Sequence, residues 1–227
     1  MCGRSSLTKT EAEIEKRFHA TFYSEELEKY NPLPNYNVAP TQYHPVITNL
    51  DSNHIHLYKW GLVPFWAKDH KIGASMINAR SETILDKPAF KKSVQQKRCI
   101  IPLDGFFEWK KISGEKIPYR IQTSDQEIFT VAGLWDSWNS PEGSKIFTFT
   151  IITVPSNEYL QKLHDRMPAI LNPDEEKIWL DNDVPVTTLM SLLKPYPSEH
   201  TTAYRVDKAV NNVRNNDPEL IRPVEQD

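Results

Sequence analysis

The chain has 227 residues, 39% of them hydrophobic and 11% aromatic, and a formal net charge of −3. This length allows one large domain or two small ones with a real core, and the charge excludes a broad basic surface. Two cysteines are too few for a disulfide framework. Without an apolar leader, a membrane-length apolar run or a metal-ligand cluster, we expect an intracellular protein with no cofactor and no metal, away from the membrane.

The first half of the chain predicts a helix, a long loop, a strand pair and a short second helix. In chain order these segments are residues 8–19, 20–45, 46–50 with 55–60, and 81–92. Thr8 and Glu11 form a possible capping box at the start of the first helix. Four prolines break the long loop, and Pro88 interrupts the second helix. Between them, Gly61–Trp66 is predicted to be an aromatic, proline-containing loop.

The second half is rich in short strands with β-branched and aromatic residues. The predicted strands are residues 98–103, 106–111, 119–122, 128–134, 146–153 and 203–206. Ser113-Gly114 predicts a hairpin turn. Helices are expected over 156–163, capped by Ser156, over 174–180 and near 187–193. The pattern predicts one α+β domain over residues 1–227, with a curved, mostly antiparallel sheet or barrel and flanking helices.

Cys2 is a candidate nucleophile because of its position in the chain. Once Met1 is removed, Cys2 carries an α-amine and a thiol that together condense with an aldehyde to a thiazolidine ring. At neutral pH an α-amine is roughly 250-fold richer in free base than a lysine. The alternatives are an N-terminal nucleophile of the peptidase kind and a small buried residue without chemistry. Cys99, beside Ile100 and Ile101, is read as structural.

Three further side chains are candidates for proton transfer or substrate binding. Glu108 lies in the aromatic strand 105–109, where apolar neighbours would raise its pKa and suit it to acid–base work. His164 is a candidate proton shuttle, because histidine is the residue type that most often fills this role. Asn78 offers both a donor and an acceptor. The structural alternatives are an outward-facing glutamate, a helix C-terminal residue and a turn residue respectively.

Each of three arginines lies near one of these candidates, namely Arg4, Arg80 and Arg166. Guanidinium groups match phosphate oxygens in a bidentate fashion, although surface arginines are usually only solvated. Phe65 and Trp66 offer faces on which unstacked bases can rest, the alternative being core or loop packing.

Eight motifs spread along the chain resemble those of the SRAP (SOS response-associated peptidase) family. They lie at residues 1–4, 36–40, 60–64, 77–83, 105–109, 151–153, 164–168 and 209–213. The resemblance implies the SRAP fold and a protein that binds single-stranded DNA and links itself covalently to abasic sites. An abasic deoxyribose opens to an aldehyde, which is the electrophile that the Cys2 aminothiol requires.

The resemblance also implies a role for each candidate residue. Cys2 is expected to form the thiazolidine, Asn78 to orient its amine or the sugar, Glu108 to assist imine formation and His164 to open the sugar ring. The expected DNA contacts are Arg4, Arg80, Arg166, Thr153, Phe65, Trp66 and Pro40. The chain has Phe65 and Met167 where a bacterial relative has tryptophan and arginine. The first difference leaves the exact stacking contact open, and the second is expected to weaken one phosphate contact.

Two other functions compete with abasic-site crosslinking. One is a cysteine peptidase that removes its own leader, which here would be Met1 alone. The other is a module that binds single-stranded DNA without a covalent step. In the crosslinking interpretation we expect a monomer whose partner is single-stranded DNA with abasic sites, in the bacterial cytoplasm or, in a eukaryote, the nucleus.

Overall fold

The computed structural model describes residues 2–224. Within them lie fourteen strands and five α-helices. The strands are β1 Ser5–Leu7, β2 Thr21–Phe22, β3 Asn35–Val38, β4 Tyr43–Thr48, β5 Asp51–Trp60, β6 Asn78–Arg80, β7 Arg98–Leu103, β8 Gly105–Ile112, β9 Glu115–Thr123, β10 Phe129–Asn139, β11 Lys145–Pro155, β12 Arg166–Pro168, β13 Ile170–Leu171 and β14 Thr201–Arg205. The helices are α1 Glu11–Phe18, α2 Ser24–Tyr30, α3 Pro88–Gln96, α4 Pro173–Leu180 and α5 Val186–Ser191. No helix in this part of the chain is long and apolar enough to cross a membrane.

Five strands close into a barrel. β10 pairs with β7 and β11, β4 pairs with β7 and β5, and β5 closes the ring by pairing with β11. All of these pairings are antiparallel except β5 with β11. The barrel interior is tight, since a Cβ on Gly133 would lie 2.2 Å from Ile101 Cδ1 and 3.1 Å from Cys99 Sγ. The expected α+β fold with a mostly antiparallel barrel is confirmed.

A second sheet has the order β14-β9-β8-β1-β3 and holds the N-terminal segment. β8 and β9 are joined by the predicted hairpin turn, where Ser113 and Gly114 have φ of 50° and 89°. A small cluster formed by Phe107, Val206, Val210 and Leu220 covers one face of this sheet. The C-terminal segment is thereby packed against β8, the strand that carries Glu108.

Several predicted elements are wrong in their bounds or type. The first helix begins at Glu11 because the capping box is formed by Thr10 and Glu13, while Thr8 binds Asp104 instead. The expected loop 20–45 contains β2, α2 and β3 and the start of β4. Pro88 begins α3 instead of interrupting a helix, which agrees with the preference of proline for the first helical turn.

The expected helix over 156–163 is also wrong. Only Leu160–Lys162 forms a short 3₁₀ turn, and the side chain of Asn157, not Ser156, accepts the hydrogen bond from Leu160. By contrast, β7 has the predicted bounds, and α4 differs from its prediction only by beginning at Pro173.

Candidate active site at the N-terminal strand

The segment that carries Cys2 is fixed from several sides. β1 lies between β3 and β8, with Ser5 opposite Phe106. The carbonyl of Arg4 accepts a hydrogen bond of 2.9 Å from the Phe107 amide. The Arg4 guanidinium donates to Asn37 Oδ1 at 2.7 Å and to the carbonyl of Val210 at 2.6 Å. Arg4 is therefore held by β3, by β8 and by the C-terminal segment.

Asn78 touches Cys2 directly. Its Nδ2 donates a hydrogen bond of 2.8 Å to the Cys2 carbonyl. β6, which begins at Asn78, runs parallel to β11 with Asn78 opposite Ile151, so the barrel wall sets the position of this side chain. The Oδ1 atom of Asn78 is buried and has no hydrogen-bond partner within residues 2–224. One end of the amide thus positions Cys2, and the other end is an acceptor ready for a donor.

Cys2 and Glu108 are both buried, at 0% and 4% exposure, and they interact electrostatically. Burial, and then the charge of Glu108, raise the pKa of the Cys2 thiol far above its usual value. Burial also raises the pKa of the Glu108 carboxyl, and the charge of His164 opposes that rise. The site therefore favours a neutral thiol next to a carboxyl group that holds its proton more strongly than in water.

His164 lies beyond Glu108, with its side chain 27% exposed. Its Nδ1 accepts a hydrogen bond of 3.0 Å from the Arg166 amide, and Asp165 Oδ1 lies 2.9 Å from the same nitrogen. The contact with the Arg166 amide suits the neutral ring, which carries its proton on Nε2. The contact with Asp165 suits the protonated ring. His164 can therefore hold or release a proton with a suitable neighbour in each state.

Glu108 and His164 open onto one cavity of about 560 Å³. Its other lining residues are Trp109, Lys116 and Asn211. The Trp109 indole donates to Asn211 Oδ1 at 2.7 Å, and the Arg4 guanidinium lies 5.7 Å from the Trp109 ring centroid. Sequence reasoning gave these three lining residues no role. Two of them, Trp109 and Asn211, lie within the family motifs at 105–109 and 209–213. Their membership of these motifs is the signal that could have identified them as site residues.

The predicted DNA contacts divide into exposed and buried residues. Phe65 and Trp66 are 56% and 49% exposed, Arg80 is exposed and Pro40 is half-buried. Thr153 is 1% exposed and Arg166 is 8% exposed.

Within residues 2–224 no three or more His, Cys, Asp or Glu side chains are grouped so as to hold a metal ion.

Arg166 and Thr153 are bonded to each other within the protein. Arg166 Nη2 donates to the Thr153 carbonyl at 2.6 Å and to its Oγ1 at 3.2 Å. The carboxylate of Glu82 binds both terminal nitrogens of the same guanidinium. Thr153 therefore supports Arg166 and, in this state of the molecule, has almost no surface of its own to offer.

Comparison with known proteins assigns the chain to a family. The family model described as "SOS response associated peptidase (SRAP)" matches residues 1–213. The chain belongs to the SRAP family. It is 46% identical over 224 residues to the abasic site processing protein YoqW of Bacillus subtilis, covering 97% of this chain and 99% of YoqW.

More distant SRAP relatives extend the comparison. The abasic site processing protein HMCES of Xenopus tropicalis is 32% identical, with 99% of this chain and 78% of HMCES covered. Among solved structures, a protein from Bacteroides thetaiotaomicron superposes with a TM-score of 0.92 at 31% identity, covering 99% of this chain and all of that one. The similarity to these proteins extends over nearly the whole SRAP chain.

Proposed function

We propose that this SRAP protein processes abasic sites in single-stranded DNA by linking Cys2 to the ring-opened sugar as a thiazolidine. The observation that carries the proposal is the arrangement around Cys2. Its carbonyl is held by Asn78, and the buried carboxyl of Glu108 interacts with its thiol. The names of the relatives YoqW and HMCES support abasic sites as the target.

The first step requires an open-chain aldehyde, whereas an abasic deoxyribose is mostly a closed hemiacetal. His164 lines the cavity beside Glu108 and is partly exposed to solvent. In the proposed role it takes the proton of the hemiacetal hydroxyl, and the ring oxygen takes a proton from solvent water as the ring C–O bond breaks. The two contacts of Nδ1, with the Arg166 amide and with Asp165, suit the neutral and the protonated ring in turn.

In the second step the Cys2 amine, free once Met1 is removed, attacks the aldehyde carbon to give a carbinolamine. Protonated Glu108 donates its proton to the departing hydroxyl, so one water leaves and an iminium ion remains. The raised pKa of Glu108 keeps this proton available closer to neutral pH. Asn78 Oδ1, a buried acceptor without a hydrogen-bond partner within residues 2–224, accepts a hydrogen bond from the reacting amine in this proposal.

In the third step the Glu108 carboxylate takes the proton of the Cys2 thiol, and the sulfur attacks the iminium carbon. The five-membered ring closes, and Glu108 is protonated again as at the start. The raised pKa of the thiol explains the order of events, because sulfur is a poor nucleophile until Glu108 accepts its proton. Overall, one aminothiol and one aldehyde give one thiazolidine and one water.

DNA binding in this proposal uses the exposed residues first. Arg80 offers a cation to the backbone, and Phe65 and Trp66 offer stacking faces for unstacked bases. Arg4 is half-buried and bonded to neutral groups, so it keeps its positive charge for a nearby phosphate. Arg166 is neutralised by Glu82 and reaches a phosphate only if that carboxylate moves.

We propose that residues 1–227 act as a single domain and as a monomer.

The deciding experiment mixes the protein with an oligonucleotide that carries one abasic site. Intact mass and denaturing gels should show a 1:1 adduct that is lighter by one water than the sum of its parts. Cys2→Ala should give no adduct while still binding the strand. If protein shown by mass to begin at Cys2 forms no adduct yet binds the oligonucleotide, the crosslinking function is excluded and a non-covalent binding module remains.

The family description includes the word peptidase, which suggests a second function. A thiolate nucleophile would need a lowered pKa at Cys2, and burial raises it instead. A chain with a longer leader before Cys2 tests this point. Self-cleavage that is lost in Glu108→Ala would support the peptidase, and an uncut leader would exclude it.

A further inference from the structure

A basic helix lies next to the exposed aromatic pair. Residues 87–98, which include α3, contain four lysines, one arginine and no acidic residue, although the whole chain has a net charge of −3. Two of these cations have partners within the protein. Arg98 is buried and donates to the Trp179 carbonyl at 2.7 Å, and Lys97 forms an ion pair with Asp136.

The remaining three cations, Lys87, Lys91 and Lys92, are exposed. None of them has an acidic partner within residues 2–224. Unpaired lysines on one short segment of an acidic protein raise the local potential and attract a polyanion. We call Lys87, Lys91 and Lys92 the α3 lysines.

One buried carboxylate fixes the aromatic loop against this helix. Asp136 is 3% exposed, and its Oδ2 accepts a hydrogen bond of 2.9 Å from the Phe65 amide. Its Oδ1 pairs with Lys97, the C-cap of α3. Two residues farther along β10, the Trp138 indole donates to the Ala67 carbonyl at 2.6 Å. The two exposed aromatic rings therefore belong to a loop whose backbone is hydrogen-bonded at Phe65 and at Ala67.

Lys92 lies next to one of these rings. Its Nζ is 5.3 Å from the centroid of the Phe65 ring, while Phe65 remains 56% exposed. A nucleotide presents the same two features, a flat π-face and a phosphate a few ångströms away. Stacking of a base on an aromatic side chain is a favourable and sequence-tolerant contact in single-strand binders. Phe65 and Lys92 together match one nucleotide.

We propose that Lys92 completes a nucleotide subsite at the aromatic loop: where a base of the single strand stacks on Phe65, as the proposed function already expects, Lys92 binds the phosphodiester of that nucleotide. The α3 lysines then bind phosphates of the strand that lie farther from the Cys2 site. This inference rests on the proposed function, since it takes the ligand to be single-stranded DNA. Lys91 is the matched control, because it is also exposed but, within residues 2–224, lies over no aromatic ring.

The first test measures reversible binding in the Cys2→Ala background, so that no adduct forms. Affinity for an abasic oligonucleotide is titrated from about 50 to 200 mM salt for the parent, Lys92→Ala and Lys91→Ala. One lost phosphate contact flattens the plot of log affinity against log salt by about 0.7, which is a change of about 2.6-fold over this range. We expect this flattening for Lys92→Ala and a smaller one for Lys91→Ala.

The second test replaces single phosphates by neutral methylphosphonates, one position at a time. The parent should lose affinity most at one linkage close to the lesion, and Lys92→Ala should show no further loss at that linkage. If the losses simply add, or if Lys92→Ala and Lys91→Ala behave alike, the subsite is excluded. If the Cys2→Ala parent does not bind the strand and wild type forms no adduct, the proposed function itself has failed.

Discussion

The two cysteines of this chain occupy two very different surroundings. Cys2 and Cys99 are both 0% exposed, and burial raises the thiol pKa of each. Cys99 lies in the barrel wall, where desolvation is the whole cause of its shift, and it contacts the tight interior at Gly133. Cys2 lies where the second sheet meets the barrel, and the Glu108 charge adds to its shift. Burial therefore does not distinguish the two cysteines, but the polar groups around Cys2 do, and they are the reason that we propose Cys2 as the reactive one.

Replacing each cysteine in turn tests this contrast most strongly. Cys2→Ala should abolish the adduct completely, because the chemistry loses its thiol. Cys99→Ala should leave the adduct and reduce the free energy of unfolding by about 1 kcal/mol, through lost packing in the barrel. Denaturing gels and urea titration measure the two outcomes. An adduct that survives Cys2→Ala and disappears in Cys99→Ala would reverse our assignment.

Removing the acid–base groups should have the next largest effect. Glu108→Gln keeps the size of the side chain but has no proton to give, so the single-turnover rate of adduct formation should fall by about 100-fold. His164→Ala should slow the reaction by a similar factor with the closed sugar and much less with a small open-chain aldehyde. Quenched time courses measure both rates. Equal slowing with both substrates would place His164 outside ring opening.

Asn78→Ala should have a moderate effect, since it removes the amide that positions Cys2. We expect adduct formation to slow by about 10-fold, and the loss of a net hydrogen bond to cost about 1 kcal/mol of stability. Asn78→Asp keeps an acceptor but loses the donor to the Cys2 carbonyl, so it separates the two ends of the amide. Full activity in both variants would show that β1 alone positions Cys2.

The pH dependence of stability gives the smallest and most specific effect. Glu108 has a raised pKa in the fold, so its favourable contribution is present below the unfolded pKa and is lost as pH rises through the folded pKa. Glu82 has a lowered pKa because it accepts hydrogen bonds from Arg166, so its contribution is present above the unfolded pKa and lost as pH falls through the folded pKa.

Thermal unfolding of Glu108→Gln and Glu82→Gln across pH tests these opposite signs. Glu108→Gln should remove the fall in stability as pH rises above the unfolded pKa of a glutamate, and Glu82→Gln the fall in stability as pH drops below it. The Glu82 effect should stay below about 1 kcal/mol, because that side chain is 47% exposed and screened by solvent. Parallel profiles for wild type and both variants would contradict the assigned environments.

The sequence was most informative where local patterns decide the structure. β7 and the hairpin at Ser113-Gly114 were predicted because alternation and turn chemistry are local. The helix expected over 156–163 failed because tertiary contacts fix this segment: the Asn157 side chain donates to the Tyr196 carbonyl at 2.7 Å and to Thr201 Oγ1 at 3.0 Å. The candidate site residues came mainly from the family motifs. No local pattern shows that Asn78 reaches the Cys2 carbonyl, since the two residues are 76 positions apart.

The bond between Arg4 and the Val210 carbonyl has a consequence for biosynthesis. It joins residues 206 positions apart, so the surroundings of Cys2 are completed only when nearly the whole chain has been made. Because protein synthesis adds about 5–20 residues per second, roughly 10–40 s pass between the synthesis of Arg4 and that of Val210. During that interval the N-terminus is still outside its folded pocket and open to an aminopeptidase. The enclosure that later shields Cys2 thus leaves the nascent chain time to mature.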